Sequence, residues 1–177
     1  MKINKTLFKE LFHFELDPKL DDRGSFTRFF CKKTLNSLGM KFNPKQISFA
    51  TNKNKFTLRG IHFQRYPNQE QKIVSCLKGS IWDVVVDIRE NSKNYGRWFA
   101  IELSEKKQNF LYIPKGFAHG YLTLTTNTHI IYLMDEYYNE KNNLGIFWQD
   151  PNLNIKWPHL PLKISIKDQN LPRLNDL

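Results

Sequence analysis

The chain has 177 residues, enough for one domain with a sizeable core and too few for two full domains. Hydrophobic residues make up 40% of it and no apolar stretch approaches the roughly 20 residues of a membrane helix, so we expect a soluble, ordered protein. Lysine and arginine number 27 against 17 acidic residues, and the formal net charge of +10 favours an anionic partner.

The distribution of charge and cysteine narrows the class of protein. The basic residues are scattered in clusters of one to three, with no basic arm and no helix-turn-helix pattern, so we expect a phosphorylated small molecule rather than nucleic acid. Lys9, Glu10 and His13 interrupt what would be the apolar stretch of a signal peptide, which predicts a cytoplasmic protein. Cys31 and Cys76 form neither a disulfide framework nor a zinc-ligand pattern, and both are interpreted as core thiols.

Short runs that alternate apolar and polar residues recur along the chain and predict β-strands. A first, exposed strand is expected near residues 7–16, where it could add to a partner's sheet. The further predicted strands cover residues 25–30, 46–51, 58–63, 72–77, 81–88, 98–103, 110–113, 121–124 and 129–134.

The lack of helical patterns between these strands predicts the architecture. Only residues 32–38, closed by Gly39, have a helical pattern, whereas a parallel sheet would need a helix between most strands. The sequence therefore predicts an antiparallel sandwich or barrel over residues 22–140. An irregular segment, residues 141–177, would wrap its surface within a single domain, residues 1–177.

The strand at residues 58–63 carries the first candidate for chemistry, His62, close to Arg59. A lone histidine is often structural, so this residue alone does not establish a site. Strict alternation places Arg59 and His62 on opposite faces of the strand. Both can serve one site only if the strand bulges or twists near Gly60.

A second candidate lies at residues 113–120, where Pro114, Gly116 and His119 resemble the second motif of the cupins, which are small double-stranded β-barrels. The first cupin motif lacks its second histidine here, and two histidines are too few to hold a transition metal. We therefore expect no metal, and His119 either packs in the barrel or contacts substrate. Tyr132, in a tyrosine-rich strand, is either a packing residue or a functional hydroxyl.

Taken in order, these pieces resemble the dTDP-4-dehydrorhamnose 3,5-epimerases and their relatives, metal-independent cupins that act on nucleotide-linked 4-keto sugars. The resemblance implies an all-β fold, a cupin double-stranded β-helix or jelly-roll barrel with few short helices. It also implies no cofactor, a nucleotide-diphosphate-linked 4-keto sugar as the ligand, and a homodimer. The matching segments are residues 22–26, Gln46, 58–64, 71–74, 79–89, 92–96 with Trp98, 113–120, Tyr132, 145–151, 157–158 and 167–168.

The resemblance also implies a catalytic role for four residues. C3 and C5 flank the carbonyl of a 4-keto sugar, so their protons are acidic and can be removed and returned through an enolate. His62 would be the base, paired with Asp168, and Tyr132 would be the general acid on the other face of the sugar. Lys72 would stabilise the enolate oxygen. Asp83 and His119 would support Lys72 and the sugar pocket.

The nucleotide side of the site combines matches with departures. Arg23, Arg59 and Lys167 match positions that contact the nucleotide in the family. Three positions near Gln46 and the nucleobase differ: Arg28 and Asn143 stand where dTDP-sugar members have glutamate, and Ser48 stands where they have asparagine. The resemblance therefore leaves open dTDP or GDP, a hexose or a heptose, and inversion of C3, C5 or both, in capsule or lipopolysaccharide sugar biosynthesis.

Three other functions compete with an epimerase. They are an oxidative or isomerising metal cupin, a non-catalytic nucleotide-sugar-binding cupin, and a 3,4-ketoisomerase of the same barrel class. Binding alone does not need a base and an acid, so the presence of both His62 and Tyr132 favours an enzyme. The long segment from Tyr132 to Asp168 favours an epimerase over a ketoisomerase.

Overall fold

The computed structural model describes residues 1–177 and is built almost entirely of β-strands. Its helices are α1 (Lys32–Ser37), α2 (Ile166–Gln169) and two 3-10 turns (Glu140–Asn142 and Leu174–Asp176). None of these helices is long and apolar enough to cross a membrane. The thirteen strands are β1 (Lys2–Lys5), β2 (Phe12–Glu15), β3 (Lys19–Asp21), β4 (Gly24–Phe26), β5 (Gln46–Asn52), β6 (Leu58–Gln64), β7 (Lys72–Lys78), β8 (Ser80–Asp87), β9 (Trp98–Ser104), β10 (Asn109–Ile113), β11 (Phe117–Thr123), β12 (Thr128–Met134) and β13 (Asn143–Gly145).

Two antiparallel sheets form the barrel. One has the strand order β1-β2-β10-β7-β12-β5 and the other β13-β6-β11-β8-β9, while β3 and β4 form a separate hairpin. Buried residues from both sheets share one cluster between them, including Val74, Leu111 and Ile130 from the first sheet and Val85 and Phe117 from the second. Sheet-on-sheet packing of this kind is the jelly-roll barrel that the sequence predicts.

Each sheet is also covered on its outer face. Residues around α1, such as Leu35 and Phe42, pack on the six-stranded sheet. Ile146, Leu153 and Leu174 pack on the five-stranded sheet. The C-terminal segment therefore has no extended regular structure, as predicted, but it contributes to the core as well as wrapping the surface.

Several predicted boundaries are wrong. The strand expected at residues 25–30 ends at Phe26, and the strand expected at 121–124 begins four residues earlier, at Phe117. The barrel is also wider than residues 22–140, because β2 pairs with β10 and β13 pairs with β6. Of the two cysteines, Cys76 is buried but Cys31 is partly exposed at the start of α1.

The first strand predicted near residues 7–16 is present only over residues 12–15, as β2, and the prediction that it is exposed is wrong. Phe8 and Leu11 are buried in the core between the sheets. β2 is hydrogen-bonded on both sides, to β1 and to β10, so it has no free edge for a partner. The free edges of the six-stranded sheet are β1 and β5 instead.

The irregularity predicted near Gly60 is present. Gly60 has φ +116°, and a Cβ at this position would lie 2.6 Å from Gly120 Cα, so the two strands approach more closely than side chains would allow. The register between β6 and β11 shifts between His119 and Tyr121. As a result, Arg59 and His62 line the same cavity despite their odd spacing.

Candidate active site

A cavity of about 660 Å³ opens into the barrel between the two sheets and the C-terminal segment. It is lined by Gln46, Ser48, Ala50, Thr57, Leu58, Arg59, His62, Glu70, Lys72, His119, Tyr121, Tyr132, Met134, Tyr138, Asn143, Lys163, Ile164, Ser165, Lys167 and Asp168. All four predicted catalytic residues are therefore in one cavity, although they are up to 106 positions apart in the chain.

His62 and Asp168 form a hydrogen-bonded pair. His62 lies on β6, and its Nε2 is 2.7 Å from Asp168 Oδ1. A carboxylate accepts hydrogen bonds, so Nε2 carries the proton and Nδ1 is the nitrogen left to accept one. The His62 side chain is 33% exposed, whereas that of Asp168 is 5% exposed, so the imidazole is accessible and its partner is shielded.

The short helix α2 and strand β6 together hold Asp168 in place. Ser165 caps α2 by accepting a hydrogen bond from Asp168 N, and Gly60 N donates to Asp168 Oδ2 at 3.2 Å. Burial would raise the pKa of this carboxyl group. The hydrogen bond and charge of His62 and the bond from Gly60 outweigh burial, and the pKa of Asp168 is lowered.

Lys72, at the start of β7, forms an ion pair with a residue that the sequence analysis missed. Lys72 Nζ lies 2.8 Å from Glu70 Oε1, and the two side chains are only 11% and 9% exposed. Glu70 precedes Lys72 by two positions, and this alternation could have indicated it. The direct partner of Lys72 is thus Glu70, whereas Lys72 affects Asp83 only through its charge, which opposes the raised pKa of Asp83.

Asp83 and His119 form a second, deeper pair. His119 Nε2 donates to Asp83 Oδ2 at 2.8 Å, and Asp83 lies behind His119 with no exposed surface. Burial raises the pKa of Asp83, and the charge and hydrogen bond of His119 oppose this shift. Asp83 therefore positions His119, which lines the cavity, and does not line the cavity itself.

Tyr132 lies on β12, on the sheet opposite to His62. Burial raises its pKa well above the ordinary value of 10.0, which keeps the hydroxyl protonated, and the nearby charge of Arg59 opposes the shift. The Tyr132 and His119 rings are 6.2 Å apart. Tyr121 also lines the cavity, with its ring 6.5 Å from the His119 ring. Alternation from His119 places it on the same face of β11, but the sequence analysis missed it.

The predicted nucleobase-side residues gather around a further missed residue, Tyr138. Gln46 Oε1 accepts a hydrogen bond from Tyr138 N at 2.6 Å, and Asn143 Nδ2 donates to the Tyr138 hydroxyl at 3.3 Å. Ser48 lines the same cavity. Arg59 and Lys167 add positive charge, together with Lys163, which no sequence motif had indicated.

Two predicted binding residues lie outside the cavity. Arg23 is on the β3–β4 hairpin, where its exposed side chain pairs with Asp21 at 2.6 Å. Arg28 is exposed just after β4 and does not line the cavity. Within a single chain, neither residue therefore joins the other predicted binding residues. A motif match gives no information on which direction a surface hairpin faces.

The arrangement as a whole places a histidine and a tyrosine on opposite sheets of one cavity, with a lysine among the residues that line it. A family model described as dTDP-4-dehydrorhamnose 3,5-epimerase matches residues 5–176, nearly the full length of the chain. The chain belongs to this family of isomerases. The resemblance inferred from the motifs is thereby confirmed.

Individual relatives agree with the family assignment. The dTDP-4-dehydrorhamnose 3,5-epimerase of Salmonella typhimurium is 38% identical over 164 residues, covering 90% of this chain and 89% of that protein. The crystal structure of the Bacillus anthracis epimerase, with TDP and PPi bound, superposes with a TM-score of 0.95 at 37% identity, covering 97% and 98% of the two chains. The Legionella pneumophila epimerase, in complex with dTDP-4-keto-L-rhamnose, has a TM-score of 0.93 at 35% identity, covering 98% and 93%.

Proposed function

We propose that this epimerase inverts C3, C5 or both in a nucleotide-diphosphate-linked 4-keto-6-deoxy sugar, for capsule or lipopolysaccharide sugar biosynthesis. The observation that carries the proposal is the placement of His62 with Asp168 on one side of the cavity and Tyr132 on the other. Inversion of a carbon centre needs a base on one face and an acid on the opposite face. Neither binding alone nor a single proton shuttle would require both.

His62 is the proposed base. Its Nδ1 takes the proton from the carbon next to the keto group, and the ring becomes an imidazolium. The Nε2–H bond to Asp168 keeps the ring in the correct orientation and stabilises that positive charge. Since the pKa of Asp168 is lowered, the carboxylate remains ionised to do so.

Lys72 is the proposed stabiliser of the enolate. Removal of the proton places negative charge on the O4 oxygen, and an ammonium group in a poorly hydrated cavity stabilises this charge strongly. The ion pair with Glu70 keeps Lys72 Nζ in one place before the substrate binds. Little reorganisation is therefore needed when the enolate forms.

Tyr132 is the proposed acid. Its raised pKa keeps the hydroxyl protonated at neutral pH, so that a proton is available for the face of the sugar opposite His62. Return of a proton from Tyr132 inverts the centre, whereas return from His62 restores the original configuration. The residue that returns the proton, Tyr132 on one sheet or His62 on the other, therefore determines the configuration of the product.

Positive charge along the cavity supports a diphosphate substrate. Arg59 uses Nε to bind Asn52 Oδ1, which leaves its two terminal nitrogens for phosphate oxygens. Lys163 and Lys167 are exposed side chains of the same cavity. The ligands of the Bacillus anthracis and Legionella pneumophila proteins, TDP with PPi and dTDP-4-keto-L-rhamnose, are of the same chemical class.

The relatives favour a dTDP-linked hexose, and the nucleobase pocket keeps a GDP-linked sugar as the second candidate. Gln46 and Asn143 present neutral amides, and Ser48 and Tyr138 present hydroxyl groups. Such groups both donate and accept hydrogen bonds, and so can pair with the edge of either thymine or guanine. Arg28 does not take part in this pocket within one chain.

We also propose that the protein is a homodimer. β5 is an edge strand of the six-stranded sheet, and its Ile47 and Phe49 are 67% and 56% exposed. The β3–β4 hairpin carries Phe26, which is 73% exposed, next to Arg23. Covering these apolar groups with a second copy would remove them from water.

The proposed function is tested by incubating the protein in D₂O with dTDP-4-keto-6-deoxyglucose and, separately, with a GDP-4-keto-6-deoxy-heptose. Proton NMR follows the loss of the C3 and C5 signals and the appearance of the epimer. Deuterium entry with inversion is expected for the dTDP sugar. The labelled carbons then show which centres turn over. Folded protein that leaves both sugars unchanged would contradict the proposal.

A further inference from the structure

Behind Tyr132, buried polar groups form a connected line that the reaction described so far does not use. Tyr121 is 1% exposed and Asn52 is 3% exposed. The Tyr121 hydroxyl donates to Asn52 Oδ1 at 3.4 Å, and Arg59 Nε donates to the same oxygen at 2.9 Å. Because Tyr121 packs between the two sheets, a phenylalanine would fill the same space. The buried hydroxyl therefore needs an explanation other than packing.

The oxygen of the general acid, Tyr132, must carry a negative charge after proton transfer, and the buried polar groups behind it can stabilise that charge. When Tyr132 gives up its proton, an anionic oxygen forms in a wall where burial disfavours charge. A hydrogen-bond donor next to that oxygen is needed to stabilise it. Tyr121 is placed to supply it: the Tyr121 and Tyr132 rings lie 6.5 Å and 6.2 Å from the His119 ring, and both residues line the cavity.

We propose that Tyr121 is a positioning residue for the acid: its hydroxyl donates a hydrogen bond to the Tyr132 oxygen once the proton has left. This inference rests on the proposed function, in which Tyr132 is the acid. The anchor formed by Asn52 and Arg59 holds the Tyr121 hydroxyl in reach.

The step balances without any further reactant. The electron pair of the enolate carbon forms the new C–H bond with the Tyr132 proton, and the broken O–H bond leaves its electron pair on the Tyr132 oxygen. The Tyr121 hydroxyl then rotates from Asn52 Oδ1 toward that oxygen and keeps its own proton. The bond it breaks is the long one, at 3.4 Å, and Asn52 Oδ1 retains the bond from Arg59 Nε. Solvent returns a proton to Tyr132 when the product leaves.

The test compares Tyr121→Phe with Tyr112→Phe. Tyr112 is also a buried tyrosine with one hydroxyl hydrogen bond, to Gln71 Oε1 at 2.7 Å, but it packs outside the cavity. In D₂O at saturating substrate, the rate of deuterium entry and the rate of inversion are measured separately. Entry without inversion requires only His62, whereas inversion requires the acid.

In Tyr121→Phe, we expect deuterium entry within about twofold of wild type and inversion slowed about tenfold, the effect of losing one hydrogen bond to a charged oxygen. Tyr112→Phe should leave the ratio of the two rates unchanged. A merely structural role for Tyr121 would lower both rates together, and that result would overturn the inference. If the wild-type protein gave neither entry nor inversion, the proposed function itself would fail, which is a distinguishable outcome.

A second variant keeps the test decisive if Tyr121→Phe does not fold. Asn52→Asp retains the Tyr121 hydroxyl but offers it a carboxylate, which holds it more strongly than an amide does. Inversion should again slow more than deuterium entry. An unchanged ratio in Asn52→Asp would contradict the proposed rotation of the hydroxyl.

Discussion

At the scale of single residues, three side chains that line the cavity have shielded partners: His62 has Asp168, His119 has Asp83 and Lys72 has Glu70. Tyr121 lines the cavity together with Tyr132. The family resemblance paired Asp168 with His62, and it named Asp83 without pairing it with His119. Glu70 and Tyr121 belong to no quoted motif, and only the alternation of strand residues points to them.

The ion pair of Glu70 with Lys72 leads to a prediction on stability. Glu70→Ala leaves a buried ammonium without its carboxylate, and the free energy of unfolding should fall by about 3 kcal/mol. Glu136→Ala is the matched control, because Glu136 pairs with Lys45 at the same 2.8 Å but with the side chains 20% and 37% exposed. Its cost should be much smaller, because solvent screens this more exposed pair. Urea unfolding measures both, and equal losses would show that the Glu70 pair is not effectively buried.

Asp168 leads to a prediction on pH. Its folded-state pKa lies below the ordinary value of 3.8, so the ionised carboxylate stabilises the fold fully above that pH. This contribution is lost as the pH falls through the lower, folded-state pKa. The free energy of unfolding of wild type and of Asp168→Asn is measured at about pH 6 and at about pH 3. The difference between the two proteins should be smaller at about pH 3. Exposed Asp22→Asn serves as the control, and a difference that grows on acidification would contradict the lowered pKa.

At the scale of elements, the close approach of β6 and β11 aligns Arg59 and His62 on one cavity. The sequence predicted an irregularity near Gly60, because both residues could not otherwise serve one site. The partner glycine, Gly120, was not predicted, because strand pairing is not visible in the chain order. The same limit explains why the position of Arg23, on the β3–β4 hairpin, and of Arg28, just after β4, outside the cavity of their own chain was not predicted.

The close approach of β6 and β11 is tested by comparing Gly60→Ala with Gly24→Ala. The two glycines have similar φ angles, +116° and +128°, but only Gly60 faces backbone at 2.6 Å, while Gly24 faces open space. Backbone strain alone should cost Gly24→Ala about 1 kcal/mol, and the steric conflict should raise the cost of Gly60→Ala to about 3 kcal/mol or more. Thermal unfolding compares them. Similar losses would show that the strands can separate freely at this point.

At the scale of the whole molecule, the C-terminal segment contributes both to the hydrophobic packing of the barrel and to the cavity. It supplies Ile146 and Leu174 to the outer cluster and Asp168 to the site, so we propose that residues 1–177 are a single domain. Strand spacing was sufficient to predict an antiparallel sandwich or barrel, and the family resemblance implied the barrel. They could not show that an irregular, proline-containing tail is part of the core, because irregular backbone has no periodic pattern.

The proposed dimer leads to a prediction on mass. Each chain has a mass of 21.1 kDa, so light scattering should give twice that value for the wild-type protein. Phe49→Asp puts a charge on the edge strand β5 and should shift the protein to the monomer mass. Leu160→Asp alters a similarly exposed residue, 66% against 56%, in the C-terminal segment and should leave the dimer intact. A monomeric wild type, or a dimeric Phe49→Asp, would contradict the assignment of this face.

The central claim is that His62 and Tyr132 move protons on opposite faces of one 4-keto sugar. The most direct measurement is proton NMR in D₂O of wild type, His62→Ala and Tyr132→Phe with dTDP-4-keto-6-deoxyglucose. We expect deuterium entry and inversion in wild type, neither in His62→Ala, and entry with strongly impaired inversion in Tyr132→Phe. Wild-type deuterium entry in His62→Ala, or full inversion in Tyr132→Phe, would contradict the account.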